Sequence, residues 1–104
     1  MSRVQALEKI EEYFQSGGFE SELGQRIAYK TESNLPNCDV ALKSYLEENL
    51  SPYLQELDFT CTIHPNPRAD AGPFLVAYRS EGDDLPTVMT YGHGDVVAGY
   101  DDEW

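Results

Sequence analysis

At Asp58 the spacing of apolar residues changes from a helical period to a period of two. Upstream, Ala6, Leu7, Ile10, Tyr13 and Phe14 form one stripe, and Leu42, Leu46, Leu50, Tyr53 and Leu57 form another. Downstream, Phe59, Cys61 and Ile63 alternate with Thr60 and Thr62. Side chains on a helix recur every three or four residues, whereas those on a strand change face at every step. The chain therefore reads as helices first and strands afterwards.

The helical half has recognisable boundaries. Ser2 caps the first helix, and Gln5 three residues on completes a capping box. Gly17 and Gly18 end it, because glycine readily takes the left-handed conformation found past a helix C-terminus. Residues 19–37 are less regular, and 25–30 suit either a short helix or a strand. A second long helix starts at a cap supplied by Asn37 or Asp39. Its apolar phase runs on past Pro52, which removes one helix hydrogen bond and crowds the preceding turn. The continuous phase favours one helix kinked at Pro52 over two helices with Ser51 as the second cap.

The extended half gives three strands, over 59–63, 74–79 and 87–91. A loop rich in proline and glycine separates the first two. Only residues 80–86 join the last two, which favours antiparallel pairing of those two. The fold class expected is α/β, with two N-terminal helices followed by three strands of a mixed sheet. A chain of 104 residues allows one small domain, able to bury roughly 60–65% of its unfolded surface.

Lys plus Arg number 7 against 19 Asp plus Glu, a formal charge of -12. A surface of that sign repels nucleic acid and anionic membranes, so neither is expected as a partner. No apolar run is long enough to span a bilayer. The N-terminus is charged and helix-periodic, unlike a secretory signal. Cys38 and Cys61 are then expected as free thiols of a cytoplasmic protein.

The residues with most chemical content lie just past the third strand, at Gly92, His93, Gly94 and Asp95. Ligand sites of α/β sheets lie beyond strand carboxyl ends. A neutral imidazole ligates zinc through one ring nitrogen. Its other nitrogen needs an acceptor that fixes the tautomer, and Asp95 can supply one. The two flanking glycines leave space beside the ring. Alone, a His-x-Asp sequence is also what an ordinary turn histidine beside an exposed aspartate looks like.

The run from Pro86 through Thr87, Val88, Met89, Thr90, Tyr91, Gly92, His93, Gly94, Asp95 and Val96 to Val97 resembles the first metal motif of the co-catalytic zinc peptidases, family M twenty. That family includes acetylornithine deacetylase, succinyl-diaminopimelate desuccinylase, carnosinase-type dipeptidases and glutamate carboxypeptidase. Asp101, Asp102, Glu103 and Trp104 resemble the acidic turn and tryptophan that follow the motif. The likeness covers nearly the whole chain, but only residues 87–97 form a specific motif.

The resemblance implies that residues 1–104 are a partial, N-terminal portion of a metallopeptidase catalytic domain. It implies a zinc-dependent hydrolase cleaving the amide bond of a dipeptide or N-acyl amino acid. His93 would bind one of two zinc ions, and Asp95 would be the catalytic carboxylate that holds the ring and tunes the metal. The bridging aspartate, the catalytic glutamate and the other ligands of the family motifs have no counterparts here, so the chain alone is expected to bind zinc weakly and hydrolyse nothing. The alternative is a stand-alone interaction module derived from such an enzyme, self-associating through an exposed sheet edge. A third reading is a small acidic domain with no site.

Other candidates have plainer explanations. Cys61 and His64 form a Cys-x-x-His pair with no second pair at finger-like spacing. The acids Asp83, Asp84, Asp101, Asp102 and Glu103 lack the alternation of a calcium loop and read as solvated turns.

Overall fold

A computed structural model describes residues 1–100 and 102. The fold mixes helix and sheet: α1 (Arg3–Gln15), α2 (Gly18–Ile27), α3 (Asp39–Ser44), a π-helical segment (Tyr45–Leu50), α4 (Ser51–Glu56), β1 (Thr60–His64) and β2 (Phe74–Tyr78).

The start of α1 follows from its cap. Ser2 Oγ accepts the Gln5 amide N–H at 3.2 Å, while the Ser2 amide donates to Gln5 Oε1 at 2.8 Å. Gly17, at φ 79°, turns the chain between α1 and α2. Of the undecided residues 25–30, the first three end the helix α2 and the last three leave it in a turn, and α2 packs back on α1 through the Phe14 and Phe19 rings, 5.9 Å apart. The Arg26 guanidinium lies 4.6 Å from the centre of the Tyr53 ring, tying α2 to α4.

Neither Asn37 nor Asp39 caps the second rod. Asn37 sits at φ 62°, and Asp39 is the first residue of α3, in its first turn. There its charge faces the positive end of the helix dipole. The rod runs through Pro52 without breaking. Proline has no N–H to donate, and its ring crowds the carbonyl four residues back. The chain accommodates this with a wider turn, in which the Ser51 amide donates to Leu46 O, five residues away. Pro52 then falls in the first turn of α4, where a missing donor costs least. Asp58 at φ 64° stops the rod.

The sheet differs from the one expected. Among the described residues it has two strands, not three, and the antiparallel partner of β2 is β1, in the register Cys61 to Ala77 and Ile63 to Leu75. These four side chains are half-buried while their neighbours are exposed, so the alternation read from the sequence holds for this pair. The long loop between the strands is tied off by Asn66, whose Nδ2 donates to Gly72 O at 2.9 Å. Its Oδ1 accepts the Arg68 amide at 3.0 Å. Residues 87–91 are not a strand. Strand pairing needs a partner ladder about 4.8 Å away, and no described segment pairs with these residues. Val88, Met89 and Tyr91 are 83%, 92% and 89% exposed.

No apolar side chain is fully buried among the described residues, contrary to the core that the chain length permits. The α1 stripe is open to solvent at Leu7, Ile10 and Phe14. The chain exposes 9051 Å², whereas a self-contained monomer of 11.7 kDa exposes about 5900 Å². The fold thus presents apolar faces that its own elements do not cover.

Candidate functional site

The His93 loop is held by a segment far away in sequence. Thr31, only 3% exposed, donates from Oγ1 to Gly94 O at 2.7 Å, and its carbonyl accepts the Val96 amide at 2.9 Å. The Ser33 amide donates to Val96 O at 3.2 Å, completing a parallel bridge between Glu32 and Val96. The loop also rests on the π-helical segment. A Cβ built on Gly94 would overlap the Tyr45 ring, with Cδ1 at 3.0 Å. Glycine is required there because the backbone lies directly on that ring. Tyr45 is itself braced edge-on by Tyr29, 5.7 Å between ring centres.

Within this frame His93 and Asp95 meet. His93 Nδ1 lies 3.0 Å from the main-chain oxygen of Asp95 and 3.3 Å from its Oδ1. A carbonyl oxygen only accepts, so the geometry assigns the proton to Nδ1. That leaves the Nε2 lone pair available, which is the form a metal-ligating imidazole needs. On the far side of the carboxylate, Ser33 Oγ donates to Asp95 Oδ2 at 2.7 Å. The hydroxyl of Ser33 is the main reason the Asp95 carboxyl is held below its usual range; partial desolvation opposes it, and the nearby imidazole assists.

A folded-state value below the unfolded one means the tether is at full strength above the ordinary carboxylate range and is lost as acid protonates Asp95. The expected result is a carboxyl carbon titration of Asp95 with a midpoint below that of an unstructured aspartate. A midpoint at or above that reference would show that the Ser33 contact is not made in solution.

A cavity of about 800 Å³ lies beside the loop, within the size range of small-molecule sites. His93, Asp95 and Ser33 line it, together with Asn66, Arg68 and Asp70. Arg68 grips Asp70 with two hydrogen bonds, Nε to Oδ1 at 3.2 Å and Nη2 to Oδ2 at 2.9 Å. This contact holds the Asp70 carboxyl below its usual range.

The donor set can be weighed against zinc. A closed zinc site takes four ligands, and a catalytic one about three plus water. Among the described residues no group of three or more His, Cys, Asp and Glu side chains is placed to hold a metal ion. The residues present fit one corner of such a site, a ligand nitrogen with its supporting acceptor, and do not fit the ion by themselves.

Cys61 and His64 are three apart on β1 and therefore point to opposite faces, so they form no pair. Both cysteines are free thiols. No described helix is long and apolar enough to cross a membrane. The acidic turn and tryptophan lie partly outside the described residues, which include Asp102 but not Asp101, Glu103 or Trp104. Thr31, Ser33 and Tyr45 were not legible as site residues, since their contacts with the loop bridge roughly half the chain or more. Comparison with protein-family models, curated proteins and solved structures finds no match to the chain.

Proposed function

We propose that this chain is the N-terminal part of a zinc-dependent hydrolase that cleaves an amide bond in a dipeptide or N-acyl amino acid. The observation that carries the reading is the His93 ring, with Nδ1 engaged by Asp95 and Nε2 without a hydrogen bond among the described residues. The likeness of residues 87–97 to the first metal motif of the co-catalytic zinc peptidases supplies the reaction class. His93 serves as one zinc ligand, and Asp95 orients the ring and raises its basicity. Zinc, when bound in such enzymes, polarises the scissile carbonyl and activates water. The remaining ligands and the general base come from other parts of the full-length protein. The two free thiols suit a cytoplasmic location.

Calorimetric titration of the 104-residue chain with zinc is expected to show weak binding and no hydrolysis of dipeptides. A tight one-to-one site would contradict the assignment of the missing ligands to other segments. In the full-length protein, His93→Ala is expected to abolish activity; unchanged turnover would remove the metal role.

The uncovered apolar surface favours a second reading, a non-catalytic interaction module. Val88, Met89 and Tyr91 form an exposed apolar run that no described strand pairs with, a surface another chain could cover. Sedimentation separates the two. A chain that self-associates alone but is monomeric within the full-length enzyme fits the first reading, and one that keeps a stable stoichiometric partner without any downstream sequence fits the second.

A further inference from the structure

We infer that Ser33 is the positioning residue of the site, fixing the rotation of the Asp95 carboxylate and, together with the Asp95 main-chain oxygen 3.0 Å from His93 Nδ1, the tautomer of the ring. The inference rests on the reading of His93 as a ligand through Nε2 and adds to it a residue that no sequence motif points to.

An aspartate carboxylate turns easily about its terminal torsion, because that torsion is broad and two-fold. Asp95 is half-exposed, so packing does not hold it. Something must hold the carboxylate plane at the rotation that points one oxygen at the imidazole. Ser33 does this by occupying Oδ2 at 2.7 Å, which leaves Oδ1 toward His93 Nδ1 at 3.3 Å. Water could satisfy Oδ2 equally well in energy, but it carries no fixed direction. The Ser33 hydroxyl does, because its backbone is fixed to the loop it acts on. The Ser33 amide bonds Val96 O, and two residues earlier Thr31 bonds both Gly94 O and the Val96 amide. Three contacts between the segments align the backbones, and the fourth delivers the hydroxyl to the carboxylate.

The side chain of Ser33 is exposed, so the fold does not depend on burying it. Ser33→Ala therefore removes the donor and little else. Ser33→Thr keeps the hydroxyl, and the open position has room for the added methyl.

The test reads the His93 tautomer directly from the nitrogen and carbon shifts of its ring. The 104-residue chain is used in wild-type, Ser33→Ala and Ser33→Thr forms, at about pH 8.5, some two units above the ordinary imidazole value. The expected result is a predominantly Nδ1–H ring in wild type, a partial shift toward Nε2–H in Ser33→Ala, where the Asp95 main-chain oxygen remains an acceptor, and recovery of the wild-type ring in Ser33→Thr. An Nδ1–H ring that is unchanged in Ser33→Ala would overturn the role of Ser33 while leaving the zinc reading intact. Loss of Nδ1–H in both variants would also overturn it, since the hydroxyl would not be what matters. A wild-type ring already in the Nε2–H form would overturn it and would also deprive the zinc reading of its free nitrogen.

Discussion

Gly94→Ala is expected to unseat the His93 loop. The added Cβ overlaps the Tyr45 ring, which cannot swing aside freely because Tyr29 stands against it edge-on. Forcing an extra carbon into a packed contact costs about 1–3 kcal/mol. The Val96 amide, bonded to Thr31 O at 2.9 Å, reports the loop locally. Its hydrogen-exchange protection should fall by roughly five- to 160-fold, the same free energy expressed as a local opening. Adding Tyr45→Ala removes the obstructing ring and is expected to restore much of the protection. If Gly94→Ala alone leaves exchange at Val96 unchanged, the loop does not rest on Tyr45.

Asp95→Ala should act on the metal rather than on the fold. Its side chain is half-exposed, so truncation removes little packing. It does remove Oδ1 from His93 Nδ1 and leaves the Ser33 hydroxyl without its acceptor. Loss of a carboxylate that supports a ligand histidine typically lowers metal affinity or activity about 10–100-fold. In the full-length protein the expected outcome is a drop of that size in zinc affinity, with the circular dichroism spectrum unchanged. The main-chain oxygen of Asp95 remains 3.0 Å from Nδ1, so the ring keeps one acceptor and the loss should stop short of complete. Asp95→Asn offers a finer comparison, since its amide can present an oxygen to either neighbour but without the charge. An Asp95→Ala variant that binds zinc as tightly as wild type would show that the carboxylate does not support the ligand.

The legible parts of the fold are those where local chemistry decides. Ser2 and Gln5 fix the start of α1 by contacts three residues apart, and Cys61 and Ile63 reveal their face by alternation. The illegible parts depend on distant partners. Seven residues between the second and third apolar runs suggested a hairpin, yet β2 pairs with β1 across a longer loop that Asn66 ties off. Pro52 signalled a disturbance in the second rod, but not that a turn of π-helix would accommodate it. At the site, His93 and Asp95 are two residues apart, so their meeting could be anticipated. Ser33 lies 62 residues from Asp95, and nothing in a Thr-Glu-Ser run announces that separation will be closed. The apolar stripe of α1 was legible as a packing face, and α2 meets it at Tyr13 and Phe14 while Leu7 and Ile10 stay exposed.

Zinc K-edge absorption of the full-length protein tests the central claim most directly. The expected wild-type spectrum contains imidazole scattering at a Zn–N distance of about 2.0–2.1 Å, with one imidazole fewer per protein in His93→Ala. Identical zinc content and identical imidazole scattering in the two proteins would contradict the assignment of His93 as a ligand.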